Sequence, residues 1–400
     1  MVSASRKHQR KVKICLWGNR GSFYETHIRL LKSCKDYSVV SIGSSDAKEV
    51  DIELFESSDE GNILRIFMGL LGRLFRVPFL FSKLDAWCDV HIVHYLNIWY
   101  LFALAVLPLK KPVVYVPYGT DWKLREKTGR KKPRIYRLIF NFVVKRKLSL
   151  ILFEFHFNSK YFAEIWEMRD SRKMFLTIIF PIRSPFYSCR INAIRKNPRY
   201  TLIFSPRALL PFYNHHLLVD ILSKSEFKEQ LVLLFIDTFN LKTVYAQHVV
   251  SKAKEYGIKT SVIPRFLSAE EMARMFLLSD FNVNIPMDDQ FGMSIMEGAL
   301  LCSVPVLNKN IWSYYDIMSY KNAIFVDPYS PEEAAKTLDN AFSDKKFQRK
   351  MCRINRKIFE NRRESIVIDN LRTVINRILN GGGFDVHPVY RMETSRNTTW

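Results

Sequence analysis

The chain has 400 residues, of which 48% are hydrophobic and 25% are charged. This is the composition of a globular protein of two or three domains, and it excludes a chain that is mostly disordered, collagen-like or a coiled coil. Lys and Arg number 61 and Asp and Glu 39, so the net charge is +22. A balance this basic indicates an acidic partner, which is a phosphorylated substrate, nucleic acid or an anionic membrane.

Cysteine spacing and hydropathy indicate where in the cell the protein is expected. The six cysteines are too far apart for a metal-binding or redox CxxC pair, so we expect small buried hydrophobes or free thiols. The basic N-terminus is not followed by an apolar run of signal-peptide length. The most apolar window, Val90–Leu109, contains His91, His94 and Asn97, which are costly in a bilayer core. We therefore expect a cytoplasmic protein without a membrane span.

Short apolar runs alternate with longer amphipathic stretches along the chain. The pattern predicts strands at Val12–Trp17, Ser38–Ile42, Val90–His94, Pro112–Val116, Leu148–Phe153, Phe175–Ile179, Tyr200–Phe204, Leu231–Ile236, Thr260–Ile263, Phe281–Ile285, Val304–Leu307 and Ala323–Val326. Several are continuous Val/Ile/Leu/Phe runs, which are typical of parallel strands covered on both faces. Helical periods lie between them, for example at Glu270–Leu278 and Pro331–Phe342. The alternation predicts an α/β protein with doubly wound units.

The strands fall into two series, which predict two domains. The polar, basic stretch Cys189–Arg199 separates the series, so we expect an N-terminal domain over residues 1–190 and a C-terminal domain over residues 191–365. Residues 343–380 read as one or two basic amphipathic helices. Gly381–Gly383 end this region, and we expect a disordered tail over residues 381–400. The sequon at Asn397 has no meaning in a cytoplasmic chain.

The segment Ile285–Leu307 (IPMDDQFGMSIMEGALLCSVPVL) is the most informative part of the sequence. It begins at a strand end, passes through an acidic loop, enters a helix near Gly292 and ends in a strand. It resembles the donor-site signature of glycosyltransferase family 4, whose retaining enzymes have the GT-B fold of two Rossmann-like domains facing across a cleft. That signature places a Glu eight positions after an acidic residue, as Glu297 follows Asp289 here. The family usually has Glu first, and Asp is one methylene shorter.

The resemblance implies roles that suit a nucleotide sugar. Glu297 would accept hydrogen bonds from the ribose hydroxyls, and Asp289 would reach hydroxyls of the donor sugar. The amides of Gly292, Met293 and Ser294 open the helix, where phosphate oxygens are favoured. The alternative is an acidic loop before a core helix, with Glu297 facing solvent.

Arg207 follows the first strand of the second domain, where the family has an Arg that binds the diphosphate. The family also has a Lys a few residues later, and Tyr213 occupies that position here. One phosphate-binding cation is therefore missing, because Tyr offers only a neutral donor. The alternative for Arg207 is a solvated loop arginine. We assign no role to His215 and His216.

Two strand ends in the first domain, Val90–His94 and the segment ending in Tyr118-Gly-Thr-Asp121, resemble the same family. Tyr118 stands where the family usually has a His near the reacting sugar, and Tyr is a poor base near neutral pH. Asp121 either orients the acceptor or caps the next helix. His94 faces either the cleft or the core. Gly18 begins a loop that loosely resembles the family's Gly-rich first turn, with a simple tight turn as the alternative.

Basic and apolar residues are interleaved in two stretches of the first domain, Ile63–Lys83 and Lys123–Lys147. Stretches of this composition lie on anionic membranes. In the family the first domain binds the acceptor, which is often lipid-linked. A solvated basic face is the plain alternative. Nucleic-acid binding is the rival use of the charge, but we find no nucleic-acid module and expect no nucleic-acid partner.

The resemblance implies a retaining glycosyltransferase at the cytoplasmic face of the membrane. It would transfer a hexose from a nucleotide sugar, UDP- or GDP-linked, to a glycan or lipid-linked acceptor in cell-surface polysaccharide or lipopolysaccharide biosynthesis. We expect no cofactor and no metal, since an Asp-x-Asp metal motif is not evident. Residues 366–380 resemble the family's closing helix, which packs on the first domain. The alternatives are a catalytically degenerate GT-B protein that binds a nucleotide or a partner glycosyltransferase, a nucleotide-sugar epimerase, and a basic nucleic-acid-binding protein.

Overall fold

The computed structural model describes residues 10–18, 22–44, 50–55, 63–118, 121–123, 132–168, 173–189, 199–238 and 241–380. The chain divides into two compact units. Unit 1 comprises Met1–Phe180 and Ser365–Trp400, and unit 2 comprises Pro181–Glu364. The predicted tail over 381–400 with Asn397, the polar stretch 190–198 and the basic segment 124–131 lie outside the described residues.

Unit 1 contains a seven-stranded parallel sheet with the strand order β3-β2-β1-β4-β5-β6-β7. Its strands are β1 (Val12–Trp17), β2 (Tyr37–Ser44), β3 (Ile52–Phe55), β4 (Val90–His94), β5 (Val113–Val116), β6 (Leu150–Phe153) and β7 (Met174–Leu176). The helices between them are α1 (Ser22–Ser33), α2 (Ile63–Trp87), α3 (Ile98–Val106), α4 (Arg134–Arg146) and α5 (His156–Ile165). The sequence did not predict β3, because Glu53 interrupts its short apolar run.

The central strand β1 shows why these strands read as continuous apolar runs. Ile14 and Leu16 lie in a hydrophobic cluster with α1, whereas Cys15 and Trp17 lie in a second cluster with α2, α3 and α4. Side chains alternate between the two faces of a strand, so helices on both faces favour apolar residues at successive covered positions, here Ile14–Trp17. The predicted doubly wound arrangement is confirmed for unit 1.

Unit 2 contains a six-stranded parallel sheet with the strand order β10-β9-β8-β11-β12-β13. Its strands are β8 (Thr201–Ala208), β9 (Leu231–Ile236), β10 (Lys259–Ile263), β11 (Phe281–Asn284), β12 (Val304–Asn308) and β13 (Ile324–Val326). Its helices are α6 (Ser184–Ser188), α7 (His215–Ser223), α8 (Val244–Glu255), α9 (Ala269–Leu278), α10 (Met293–Leu300), α11 (Pro331–Ser343) and α12 (Lys345–Phe359). Both units therefore have the predicted α/β architecture.

Helix α10 is pressed unusually close to strand β11. Every residue of α10 from Ser294 to Leu300 is buried. A Cβ atom on Gly298 would lie 2.3 Å from Nδ2 of Asn282, so only glycine allows this approach. The same Asn282 Nδ2 donates to the Ser294 carbonyl at 2.7 Å. Packing and this hydrogen bond together fix the position of the amino end of α10.

The last described helix, α13 (Glu364–Leu379), belongs almost entirely to unit 1. Val367, Leu371, Val374 and Ile375 are buried in the hydrophobic cluster that contains Ile14 and Leu16. Asn370 Nδ2 donates to the Ile178 carbonyl at 3.1 Å. Among the described helices, none combines the length and the apolar composition needed to span a membrane.

One cysteine expectation is wrong. Cys302, just after α10, and Cys352, within α12, form a disulfide across a sequence separation of 50 residues. A pair so far apart has no local spacing signature, which is why sequence inspection assigned both as unpaired. Cys15, Cys34, Cys88 and Cys189 are free, and the first three are buried as expected.

Candidate functional site

Arg207 and the acidic loop after β11 meet at the amino end of α10. Arg207 lies near the carboxyl end of β8, and its Nη2 donates to Oδ2 of Asp289 at 3.2 Å. The guanidinium lies directly over Gly292, the N-cap of α10, because a Cβ atom there would be 1.6 Å from Nη2. Glycine at this position therefore makes room for the arginine.

The carboxylate of Asp289 accepts hydrogen bonds from several groups at once. Its Oδ2 accepts from Arg207 and also from the Gly292 amide at 3.1 Å and from Tyr314 Oη at 3.0 Å. Its Oδ1 accepts from the adjacent Gln290 amide at 2.9 Å. Burial disfavours the charge on Arg207, but Asp289 and its neighbours, among them Glu297, together outweigh this effect and raise the pKa of the guanidinium. Asp289 is thus the anion that holds Arg207 at the helix end.

Tyr314 is a site residue that sequence inspection missed. It lies in a short 3-10 helix, Trp312–Asp316, and is fully buried. Burial raises its pKa well above the usual value for tyrosine, so the phenol stays protonated and donates to Asp289. The neighbouring Ser313 hydroxyl donates to the Asp289 carbonyl at 2.9 Å. Both contacts fix the acidic loop.

Strand β11 contributes a buried polar chain to the same cluster. Asn284 Oδ1 accepts from Ser294 Oγ at 3.2 Å and from Arg207 Nε at 3.3 Å. Asn284 Nδ2 in turn donates to Asn282 Oδ1 at 2.8 Å. The only sequence signal for this chain was a pair of Asn residues inside an otherwise apolar strand.

Glu297 lies one turn into α10 and is 2% exposed, so the alternative of a solvent-facing glutamate is wrong. Its Oε1 accepts from Arg183 Nε at 2.8 Å. Its Oε2 makes no hydrogen bond to the part of the chain that the structure describes. Burial raises the pKa of Glu297, and the charges of Arg183 and Arg207 partly offset that effect.

The predicted residues of unit 2 thus form one cluster around the amino end of α10. The Gly292 amide is bonded to Asp289, whereas the amides of Met293 and Ser294 lie in the first helical turn, where no backbone acceptor exists. Tyr213 lies beside the cluster, with its ring centre 5.5 Å from the guanidinium carbon of Arg207. An anion-binding end of a helix, an arginine and two carboxylates are therefore brought together.

In unit 1, three side chains form a directed chain of hydrogen bonds. His27 Nε2 lies 2.5 Å from the Ile179 carbonyl, which can only accept, so this nitrogen carries the proton. Nδ1 of a neutral His27 then accepts from His94 Nε2 at 3.2 Å. His94 Nδ1 must accept from Tyr118 Oη at 2.6 Å. The carbonyl of Ile179 thereby fixes both tautomers and makes Tyr118 a donor to His94.

The remaining predicted residues of unit 1 hold the loops around this chain. Asp121 is buried and accepts from Tyr115 Oη at 2.5 Å, from the Leu96 amide at 3.2 Å and from the Tyr118 amide at 3.1 Å. Gly18 lies under the Tyr24 ring, where a Cβ atom would be 2.5 Å from Cδ2. Asp121 thus positions the backbone of Tyr118, and Gly18 makes room for an aromatic ring.

Among the described residues, Cys15, Cys88 and His91 form a group with the spacing of metal ligands, within 4.8 Å of one another. Trp17 Nε1 donates to Nδ1 of His91 at 3.1 Å, so Nε2 of the neutral ring carries the proton. That N–H faces Asp85 Oδ1 at 3.2 Å and Cys88 Sγ at 3.4 Å. Nε2 of His91, which faces the cysteines, is therefore protonated and has no lone pair available for a metal ion. Hydrogen bonding explains the group of Cys15, Cys88 and His91 better than a metal site does.

The family comparison agrees with the predicted resemblance. Residues 190–358 match the family model of the glycosyl transferases group 1. The matched range contains Arg207 and the whole cluster at the amino end of α10 except Arg183. A comparison with curated proteins of known function gives no match.

Solved structures with the same fold cover almost the whole chain. A glycosyltransferase from Rickettsia africae ESF-5 is 14% identical with a TM-score of 0.72, covering 93% of this chain and 100% of its own. Sucrose-phosphate synthase from Thermosynechococcus elongatus is 9% identical with a TM-score of 0.70 and the same coverage. Anabaena Alr3699/HepE, solved with UDP and glucose, is 13% identical with a TM-score of 0.67, covering 91% of this chain and 99% of its own. The fold is therefore GT-B, as predicted.

The neutral histidine pair predicts acid sensitivity. Burial lowers the pKa of His27 from 6.5 to about 4, so below pH 6.5 the unfolded chain binds more protons than the folded one. The free energy of unfolding therefore decreases as the pH is lowered. His27 alone accounts for a decrease of about 2 kcal/mol between about pH 7.5 and about pH 5. Urea unfolding at both pH values measures this difference, which His27→Gln should reduce by that amount. Tyr118→Phe keeps both imidazoles and should retain the wild-type difference, whereas an unchanged difference in His27→Gln would contradict the neutral chain.

The contact of Tyr314 with Asp289 predicts a specific loss of stability. Tyr314→Phe removes one donor from a partly buried carboxylate and should lower the free energy of unfolding by about 1 to 3 kcal/mol. Tyr315→Phe is the matched control, because its hydroxyl donates to the Lys309 carbonyl on the exposed side of the same turn. Urea unfolding measures the free energy of unfolding of both variants. Equal decreases would show that the hydrogen bond to Asp289 contributes no more than an exposed one.

Proposed function

We propose that this chain, whose residues 190–358 match the glycosyl transferases group 1, transfers a sugar with retention from a nucleotide sugar to a glycan or a lipid-linked acceptor. The observation that carries the proposal is the cluster at the amino end of α10, which combines Arg207, Glu297, Asp289 and helix amides inside the matched segment. The Anabaena structure with UDP and glucose supports a UDP-sugar as the donor.

Each group of the cluster has a role in this proposal. Glu297 Oε2 accepts hydrogen bonds from the ribose hydroxyls. Arg207 and the amides of Met293 and Ser294 bind the diphosphate, which suits the dipole and the open amides of a helix end. Asp289 holds Arg207 through Oδ2 and offers Oδ1 to a hydroxyl of the donor sugar.

The proposed chemistry is charge stabilisation. The bond between the anomeric carbon and the phosphate oxygen breaks, and the nucleoside diphosphate leaves with the electron pair. Arg207 and the helix amides stabilise the negative charge that develops there. The acceptor hydroxyl forms the new bond on the same face, and its proton passes to the departing phosphate oxygen. Since the chain's own groups supply the stabilisation, we propose no metal and no cofactor.

Unit 1 supplies a neutral group in this scheme. Tyr118 donates its proton to His94, so toward a substrate hydroxyl its phenol oxygen would act as an acceptor. Burial raises the pKa of Tyr118 and lowers that of His94, so neither side chain changes charge near neutral pH. Tyr118 therefore orients a hydroxyl and does not remove its proton.

A second part of the proposal is that unit 1 docks on the cytoplasmic face of an anionic membrane, where a lipid-linked acceptor of polysaccharide or lipopolysaccharide synthesis is found. Helices α2, α3 and α4 pack side by side over the same face of the sheet. Their outer surface exposes large apolar side chains at Phe75, Phe79, Ile135, Leu138 and Phe142. Exposed basic residues lie among them at Arg76, Lys83, Arg134, Arg137 and Arg146. Apolar side chains ringed by bases suit an anionic membrane surface.

Donor binding is expected to depend on Glu297. Calorimetry against UDP-, GDP-, ADP- and CMP-sugars should identify one donor that binds. Glu297→Gln should weaken that donor by about tenfold or more, because hydrogen bonds to a carboxylate become weaker bonds to an amide. Glu333→Gln, an exposed glutamate on α11, is the control and should bind as the wild type does.

Three results would decide against parts of the proposal. If no nucleotide sugar binds the folded wild-type protein at millimolar concentration, the donor site is wrong. If a donor binds equally well to Glu297→Gln, the ribose role of Glu297 is wrong. If a donor binds but no sugar is transferred to any glycan or lipid-linked acceptor tested, the protein is a degenerate relative that binds a nucleotide.

Membrane docking is tested with vesicles. The triple variant Ile135→Ser, Leu138→Ser, Phe142→Ser should bind phosphatidylglycerol vesicles at least about tenfold more weakly than the wild type, since it removes exposed apolar area from α4. The double variant Val244→Ser, Phe266→Ser removes similarly exposed apolar side chains from unit 2 and is the control. Equal sedimentation of the triple variant, or equal binding to neutral phosphatidylcholine vesicles, would contradict this docking surface.

A further inference from the structure

Arg183 lies at the start of unit 2, immediately before α6 and outside the segment that matches the family. Its Nε donates to Oε1 of Glu297 at 2.8 Å. The side chain of Arg183 is 31% exposed, whereas that of Glu297 is 3% exposed. Arg183 is therefore the more exposed member of this pair, and it contacts the carboxylate to which the proposed function assigns the ribose.

The charges of the cluster balance without a ligand. Arg207 pairs with Asp289 and Arg183 pairs with Glu297, so the four side chains sum to zero. A nucleoside diphosphate brings several negative charges into this partly buried site. One arginine that already shares its charge with a carboxylate is a weak counter-charge for such a group. A second cation with uncommitted donors would balance the added negative charge of the proposed ligand.

Arg183 has more uncommitted N–H donors than Arg207. Arg207 uses Nε on Asn284 and Nη2 on Asp289. Arg183 uses Nε on Glu297, and its two Nη groups make no hydrogen bond to any described residue. The guanidinium rests beside the Phe186 ring, 5.1 Å from its centre, which limits its orientations. Tyr213, the other candidate position, packs its ring near Arg207 and carries no charge.

We propose that Arg183 is a nucleotide-binding residue that bridges the ribose and diphosphate parts of the donor. Its Nε keeps Glu297 in place for the ribose hydroxyls, and its Nη groups donate to phosphate oxygens as the second cation of the site. A guanidinium can make both contacts at once, because its five N–H donors form a rigid, planar fork. This inference rests on the proposed donor site and deepens it.

The test separates phosphate binding from simple support of Glu297. Calorimetry measures the nucleoside diphosphate that binds best, from UDP, GDP and ADP, and its nucleoside, at about pH 8, because burial raises the pKa of Glu297 and an alkaline pH favours its carboxylate. Arg183→Met should weaken the diphosphate by about tenfold to 100-fold and the nucleoside by less than about threefold. Arg183→Lys should restore part of the diphosphate affinity, because it keeps the charge and loses the fork. Arg265→Met, an exposed arginine paired with Glu271, is the control for loss of a positive charge from unit 2.

Each result assigns a failure to one proposal. Equal losses for nucleoside and diphosphate in Arg183→Met would show that Arg183 only supports Glu297, and the second-cation role would be wrong. Unchanged diphosphate binding would overturn any role of Arg183 and leave the donor site intact. If the wild-type protein binds no nucleoside diphosphate, both the donor site and this inference are wrong. If Arg183→Met does not fold, Arg183→Lys still tests the proposal. Wild-type affinity of Arg183→Lys for the nucleoside diphosphate would show that a guanidinium bridging Glu297 and the phosphates is not needed.

Discussion

The carboxylate of Asp289 is the group on which the cluster of unit 2 depends. A guanidinium placed over Gly292 lies at the positive end of the α10 dipole, where a cation is repelled. Asp289 removes that repulsion because its Oδ2 accepts from Arg207 and from the Gly292 amide together. Tyr314 then holds the carboxylate in this position. The cation and the helix end are consequently oriented before any ligand arrives, which lowers the entropic cost of binding an anion.

Two ion pairs at the end of one buried helix are expected to add little to the stability of the fold. Taking charges out of water costs several kcal/mol per ion, and well-packed apolar residues are often as stable as a buried pair. Helix α10 is otherwise packed with apolar and small residues, so Glu297 is out of place as a structural choice. A role in binding polar groups of a ligand explains Glu297 better, since Arg183 bonds to its Oε1 and the proposal assigns Oε2 to the ribose. The proposed contact with the ribose would account for the cost of burying this carboxylate.

The sequence predicted what is local. Continuous apolar runs identified strands such as β1 and β9, because burial on both faces favours apolar residues at successive positions. The segment Ile285–Leu307 contained the loop and helix of the cluster in one piece. What it missed is bonding between distant positions. Tyr314 lies 25 residues from Asp289, and His27 lies 67 residues from His94. Neither spacing has a periodicity, so only the folded chain shows that these side chains meet.

The hydrogen-bonded chain of unit 1 explains how a tyrosine can stand where a histidine was expected. A histidine at position 118 would change its charge with pH or compete with His94 for the same proton. Tyr118 instead ends a chain whose direction is set by the Ile179 carbonyl, which cannot donate. Every member of the chain is neutral, so the group presents one oxygen of fixed polarity over the physiological pH range. Such a group suits a reaction in which the departing phosphate takes the proton and the protein only has to orient the hydroxyl. Tyr118 in place of the expected histidine is then compatible with the proposed sugar transfer.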